Sequence, residues 1–189
     1  MKATLINYRD CWQEVKNAAM VTIGKKKGKY PTNEWKRAIL MAEHSPIKLL
    51  KMMVLIEDLP SWVSVHLVRH FVGIIPFVST QRTDRTGIDR RKLPQDNPVM
   101  HEMEVNAQAL INISRKRLCM QASPETREAW QAVLEAIKEK EPEVYEVCVR
   151  ECVYRGFCPE MKPCGYFGTE AYEEERSRYV RGYIPPKTN

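Results

Sequence analysis

Asn106, Asn112 and Arg117, set in the run N-A-x-x-L-x-N-x-x-x-x-R, constrain this chain more than any other feature. A buried or half-buried helix rarely collects two amides and a guanidinium unless a polar ligand satisfies them. Asn106, Leu110 and Arg117 fall on nearly one face, because eleven residues make almost three turns. At about 1.5 Å per residue, Asn106 and Arg117 stand roughly 16 Å apart. That span suits a long polar ligand such as a nucleotide better than a point site such as a metal ion. The pattern predicts a large anionic group along this helix.

The rest of the composition sets the class. A chain of 189 residues forms one main domain able to bury a real core. Its 43% hydrophobic and 29% charged residues are ordinary for a soluble globular protein. A net charge of +6 fits an enzyme of phosphorylated small molecules as well as it fits nucleic-acid contact. No apolar run approaches the roughly twenty residues of a membrane span. The first residues are too polar for a signal peptide, so the expectation is a cytoplasmic protein. In that reducing setting the six cysteines are read as free thiols or metal ligands before disulfides.

Along the chain, Ala3–Ile6 reads as a strand and Asp10–Thr22 as a helix with Asp10 at its cap. The run Lys25–Lys29 is a solvated loop. A second helix is expected over Thr32–Glu43, then a short one opened by Ser45-Pro46. Met52–Ile56 has strand length, and Asp58-Leu59-Pro60 reads as a turn. Ser61–His70 predicts a buried helix, Ile74–Val78 a strand, and Thr80–Leu93 an irregular segment dense in Arg and Asp. One long helix is expected from Val99 to Leu118 and another from Ser123-Pro124 to Lys140. Pro142 opens a shorter helix carrying Cys148 and Cys152, and the last twenty-five residues read as a peripheral tail. The expected class is α+β, a small, mostly antiparallel sheet packed with several helices. A catalytic unit would span 1–147, with a cysteine-containing appendix over 148–189.

His66, Arg69 and His70 share one helix face at i, i+3 and i+4. A metal site, a structural cluster and an anion or cofactor contact are all readings of that face, although Arg69 opposes a cation. Arg82, Arg85, Arg90 and Arg91 follow in one segment with Ser79 and Thr80. Guanidinium forks with hydroxyls match phosphate oxygens; a solvated arginine loop is the plainer alternative. There is no Walker loop, dinucleotide glycine fingerprint, H-E-x-x-H or G-x-S-x-G element. Side chains and helix ends must therefore hold any nucleotide.

Taken in order, these pieces resemble the flavin-dependent thymidylate synthases. Their R-H-R signature corresponds to Arg69-His70-Phe71, and S-x-R to Ser79-Thr80-Gln81-Arg82. Asp89-Arg90-Arg91-Lys92-Leu93-Pro94 is similar to the A-R-x-x-L-P element, and Asn106 to Arg117 to N-A-R-x-L-x-N-x-x-x-x-R. Ala122-Ser123-Pro124-Glu125-Thr126 resembles A-Q-x-E-I, and His44-Ser45-Pro46 the upstream H-x-S/T-P. Phe71 and Gln81 stand where the signature has arginines, with Arg82 one place later. Glu43 and Lys48 replace the upstream histidine and glutamate, and the segment from Ser79 to Arg90 is short.

The resemblance implies a homotetramer with active sites at subunit interfaces and FAD bound across chains. The implied reaction methylates dUMP at C5, using methylene-tetrahydrofolate for carbon and NADPH for electrons. By position, Ser45, Arg69, His70, Asn106 and Asn112 would contact FAD. His66, Ser79, Gln81, Arg82 and Arg90 would surround dUMP. Arg117 would bind the uracil edge and stabilise charge as N3 ionises, the catalytic role. Hydroxymethylation, or modification of another pyrimidine nucleotide, is an alternative product.

Cys148, Cys152, Cys158 and Cys164 lie within seventeen residues and read as a candidate zinc or iron–sulfur site, with unligated thiols or disulfides as alternatives. Cys11, Cys119, Trp130 and Met103 read as core or interface residues. A zinc-containing nucleic-acid-binding module is the rival function, and its mark would be a colourless protein.

Overall fold

Four antiparallel strands form the centre of the computed structural model, which describes residues 1–181. Their order is β1 (Lys2–Ile6), β2 (Lys51–Pro60), β4 (Pro98–Asn106) and β3 (Ile74–Val78). The helices are α1 (Trp12–Val21), α2 (Asn33–Met41), α3 (Ser61–Val68), α4 (Thr83–Thr86), α5 (Ala107–Arg117), α6 (Pro124–Lys138), α7 (Pro142–Val147), α8 (Glu151–Arg155) and α9 (Glu170–Arg181). The class is α+β, as the sequence predicts.

Residues 98–106 are a strand, where the sequence reading places the first half of a long helix. The cause is a period of two. Val99, His101, Met103 and Val105 are buried, whereas Met100, Glu102 and Glu104 are exposed or half-buried. Pairing on both sides then holds β4 extended. The helix begins only at Ala107, where the Asn106 side chain accepts the Ala109 N–H at 2.9 Å. Strand β2 runs on through the expected turn, its register shifting between Ile56 and Leu59 with Asp58 at φ 55°.

Helices cover one face of the sheet. Val54, Ile56, Met103 and Val105 are fully buried there, and α3, α5 and α6 pack against these strands. The opposite face sets Ile75 beside Glu104 and Phe77 beside Glu102, leaving the two apolar side chains 52% and 55% exposed. Ser123 caps α6 by accepting the Thr126 N–H at 3.3 Å, and Pro124 takes the first position, as expected. Trp130 is completely buried and donates Nε1–H to Ser114 Oγ at 2.8 Å, fastening α6 to α5.

Two corrections concern the C-terminal part. Cys148 and Cys152 do not share a helix: α7 ends at Val147 and α8 begins at Glu151. The stretch expected as a tail contains α9, whose Tyr172, Glu175 and Tyr179 are buried. Val149, Cys152, Val153, Tyr172 and Tyr179 share one hydrophobic core with the sheet and the earlier helices. Residues 182–189 of the expected tail lie outside the described residues. No helix of the described residues is long and apolar enough to cross a membrane.

Candidate active site

Helices α3 and α5 build the most organised polar cluster. After α3 the chain turns through Gly73 at φ 77°, and the Asn106 N–H donates to the Gly73 carbonyl at 2.9 Å. A Cβ on residue 73 would come within 2.6 Å of Asn106 Nδ2, so conformation and space both demand glycine. This contact lays residues 69–73 against the start of α5. At the other end of α5, Arg117 donates Nε–H to His70 Nε2 at 2.8 Å and Nη2–H to the His66 carbonyl at 2.8 Å. Neither partner is anionic, and the Nη1 edge is left over.

Electrostatics fix the protonation of this pair. Burial, then the Arg117 and Arg69 cations, push the His70 pKa down to about 4. His70 is therefore neutral near pH 7, accepts at Nε2 and carries its proton on Nδ1. Burial, and then Arg69, also lower the Arg117 pKa from its usual range. The predicted face of His66, Arg69 and His70 thus meets Arg117. His66 Nδ1 lies 3.2 Å from Thr126 Oγ1, which accepts the Ser123 hydroxyl at 2.8 Å. One histidine is thus engaged with Arg117 and the other with Thr126.

A second cluster surrounds Asn112. Glu43, at φ 49°, accepts from Gln108 Nε2 at 2.6 Å and pairs with Arg115. Asn112 Oδ1 accepts from Gln108 and Arg115, both at 3.4 Å, and the residue is exposed. Ser45 is also exposed and begins a 3-10 turn over Ser45–Leu49. With Glu43 it borders a cleft of about 730 Å³ against α1 and α2. A cavity of about 740 Å³, lined by Arg37, Lys138, Cys148 and Arg150, includes none of the expected nucleotide contacts.

The arginine segment behaves differently. Ser79 spends its hydroxyl in the sheet, where Oγ accepts the Met100 N–H at 3.0 Å. Arg82 forks onto Asp84 at 3.0 and 2.8 Å, and Arg91 onto Asp89 at 3.1 Å for each bond. Arg90 is exposed; its backbone N–H donates to Thr83 Oγ1 at 3.2 Å. Gln81 is half-buried, and its Nε2 is buried without a partner. Where the sequence suggests irregular chain, α4 and a 3-10 turn at Arg90–Lys92 appear. Among the described residues, no hydrogen bond or ion pair joins Arg82 or Arg90 to Arg117; Arg82 pairs with Asp84 instead.

Sequence reasoning missed the positioning residues Thr126, Gln108 and Arg115. Thr126 was readable as the third position of a Ser-Pro helix start, and Gln108 and Arg115 flank Asn112 at i−4 and i+3. The four-cysteine set needs correcting. Cys148 is buried beside Ser114, and its pKa is pushed up to about 12, chiefly by burial. Among the described residues no three His, Cys, Asp or Glu side chains stand at the spacing of a metal site.

No protein-family profile matches the chain, and no curated protein matches its sequence. Solved structures do. The flavin-dependent thymidylate synthase ThyX from Helicobacter pylori, complexed with FAD and dUMP, superposes with TM-score 0.65 at 12% identity, over 79% of this chain and 100% of its own. A second structure of that protein with FAD and dUMP gives TM-score 0.64 at 12% identity, over 79% and 99%. The UMP/dUMP methylase PolB from Streptomyces cacaoi, bound with 5-Br dUMP, gives 0.62 at 15% identity, over 82% and 95%. This likeness shows a shared fold.

Proposed function

We propose that this chain, built on the fold of the flavin-dependent thymidylate synthases, is a flavoenzyme that methylates dUMP at C5 to give dTMP. One observation carries the reading. Arg117 is half-buried with a neutral histidine and a carbonyl as its partners, in a fold whose solved examples hold FAD and dUMP. A cation kept from carboxylates and partly desolvated is a standing site for an anion.

The residues present fit a flavin. Ser45, Arg69, His70, Asn106 and Asn112 would hold it. Nδ1–H of His70 and Nδ2 of Asn106 are donors, Arg69 supplies an exposed cation, and Gly73 keeps the wall beside Asn106 thin. When bound, FAD supplies the hydride that reduces the transferred carbon, with methylene-tetrahydrofolate as carbon donor and NADPH as reductant. His66, Ser79, Gln81, Arg82 and Arg90 would surround the nucleotide, Gln81 with an amide still lacking a partner. Arg117 would present Nη1 to the uracil edge and favour negative charge developing there, which makes C5 more nucleophilic. His70 orients that guanidinium while remaining uncharged.

In this reading residues 1–147 carry the catalytic residues, residues 148–181 pack onto the same core, and the enzyme is a cytoplasmic homotetramer. Two features support sharing of the site between chains. Arg82 is paired with Asp84, and neither it nor the exposed Arg90 is bonded to Arg117 among the described residues. Beside the cluster, Phe71 and Val72 are 82% and 74% exposed, and the apolar side chains of β3 extend that patch. Modification of UMP is a second reading, prompted by the UMP/dUMP methylase with this fold.

The test is an absorbance spectrum of purified protein with FAD, followed by tritium release from C5-labelled dUMP and UMP. Flavin bands that shift with dUMP, and release from dUMP dependent on methylene-tetrahydrofolate and NADPH, are the expected results. Release from UMP alone moves the substrate to the ribonucleotide. A colourless protein that takes up no FAD removes the flavoenzyme reading and favours the nucleic-acid-binding rival.

A further inference from the structure

His66 is held at three points. Its carbonyl accepts Arg117 Nη2–H at 2.8 Å, which ties the end of α3 to α5. Trp62, one turn earlier on α3, meets the imidazole edge-on, with ring centroids 5.4 Å apart and planes at 77°. Ring Nδ1 lies 3.2 Å from the hydroxyl of Thr126, in the first turn of α6. Thr126 is fully buried, whereas His66 is half-buried. Among the described residues His66 Nε2 has no protein partner, yet unlike Nε2 of His101 it is open to solvent.

Proton count fixes the direction of the bond to Nδ1. Ser123 and Thr126 bring two hydroxyl protons to two contacts in series, Ser123 to Thr126 at 2.8 Å and Thr126 to His66. Ser123 Oγ already accepts the Thr126 N–H at 3.3 Å. If Ser123 donates to Thr126 and Thr126 donates to Nδ1, each proton meets an acceptor. If the ring donates from Nδ1 instead, Thr126 must turn its proton back onto Ser123. The Ser123 proton is then left without an acceptor among the described residues, which is the costlier arrangement. In the first order the neutral ring carries its proton on Nε2. His70 is the reverse case, since Arg117 occupies its Nε2 and leaves the proton on Nδ1. A hydroxyl and a guanidinium thus sort two histidines, one helical turn apart, into opposite tautomers.

We propose that Thr126 holds His66 as the Nε2–H tautomer, so that the ring gives the site an uncharged donor for an acceptor oxygen of the nucleotide. The nucleotide rests on the function proposed above; the tautomer does not. The two side chains then divide the work of recognition. Arg117 favours negative charge, whereas a neutral N–H accepts any oxygen lone pair and turns away an amino group. Thr126 is sealed in the core and cannot touch a ligand, so it acts only through His66, as a positioning residue.

The test is a long-range ¹H–¹⁵N correlation spectrum of the full-length protein labelled at histidine, recorded at about pH 8.5, above the ordinary range of imidazole titration. His66→Gln and His70→Gln identify the two rings among the four histidines. Expected are an unprotonated Nδ1 and a protonated Nε2 for His66, and the reverse pattern for His70. Thr126→Val keeps the side-chain shape and removes the hydroxyl; it moves the His66 nitrogens toward the averaged signature of free imidazole, and Thr126→Ser restores them. In isothermal titration Thr126→Val raises the Kd of dUMP about 2–10-fold, the worth of one neutral hydrogen bond, and Thr126→Ser recovers it. A His66 ring protonated on Nδ1 overturns the proposal, and the unsubstituted chain alone can show it. A His66 signature unchanged in Thr126→Val overturns it as well, and an unchanged Kd removes the donor role. If dUMP binds neither protein while the tautomer pattern holds, the nucleotide reading fails and the hold of Thr126 on His66 stands.

Discussion

The α3–α5 junction and the segment between β3 and β4 both hold exposed or half-buried arginines, yet they treat them in opposite ways. At the junction, Arg117 is fixed by a ring nitrogen and a carbonyl, each at 2.8 Å, so the side chain is positioned while its charge stays unspent. In the segment, Arg82 and Arg91 are forked onto carboxylates two residues away, and Arg90 is exposed. A partly desolvated cation with neutral partners gains much from an arriving anion. A solvated ion pair gains little, because the anion must first displace a carboxylate. The junction is a prepared site, and the segment is an adaptable one.

The largest expected effect tests the prepared half. Arg117→Ala lowers kcat by about 10²–10³-fold, the usual loss when one charge-stabilising donor is removed, with flavin still bound. Steady-state tritium release with parallel flavin absorbance checks it. A variant that turns over like the parent removes Arg117 from the chemistry.

Acid probes the same packing. The folded pKa values of His70 and His101 are lowered from 6.5 to about 4 in each case, chiefly by burial. The unfolded chain then takes up protons that the folded chain refuses. Stability present above pH 6.5 is lost as pH falls toward 4. Fully buried His101, whose Nε2 has no partner, contributes at most about 3 kcal/mol of that loss. Half-buried His70 adds to it in the same direction. Denaturant midpoints at pH 7 and pH 4.5 should separate accordingly, and coincident midpoints would show that one or both rings are hydrated.

The prepared half was also the more legible in sequence. Asn106, Arg117 and the His66–His70 face are local patterns that a helix period suggests, although Asn112 falls in the separate cluster around Glu43. At 98–106 the helical pattern that begins at Asn106 competes with the alternation of Val99, His101, Met103 and Val105, and the alternation prevails because β4 pairs on both sides. Cys148 and Cys152 failed for a tertiary reason. Their spacing is one helical turn, but Arg150 between them is extended at φ −62° and ψ 153°, and its guanidinium pairs with Glu175 of α9. No local pattern announces a partner twenty-five residues away. The pairing of Arg82 with Asp84 was equally hard to anticipate, because residue type alone does not say whether a guanidinium meets a carboxylate two residues away or a ligand.

A smaller effect sharpens the comparison from the backbone side. Gly73→Ala forces a non-glycine residue to φ 77° and drives its Cβ toward the Asn106 amide, at 2.6 Å in the present geometry. The backbone strain alone costs about 1–3 kcal/mol. Thermal unfolding should report a lower Tm, and flavin titration a weaker Kd, because Asn106 must swing away from its place at the head of α5. A lower Tm with unchanged flavin affinity would confine Gly73 to folding and detach Asn106 from the cofactor.

Arg90→Ala is the mildest test and addresses the adaptable half. The side chain is exposed, and its hydrogen bond to Thr83 runs through the backbone, so stability should stay within about 0.5 kcal/mol of the parent. If Arg90 meets the nucleotide phosphate only in the assembled site, KM for dUMP rises about tenfold, the worth of one charge-assisted bond, and kcat is unchanged. The rise should shrink with added salt, since an exposed charge is screened while the Arg117 contact is not. A KM that ignores Arg90 leaves the segment a solvated loop. A fall in kcat instead would mean that Arg90 is as tightly placed as Arg117, and the contrast between the two regions would disappear on substrate binding.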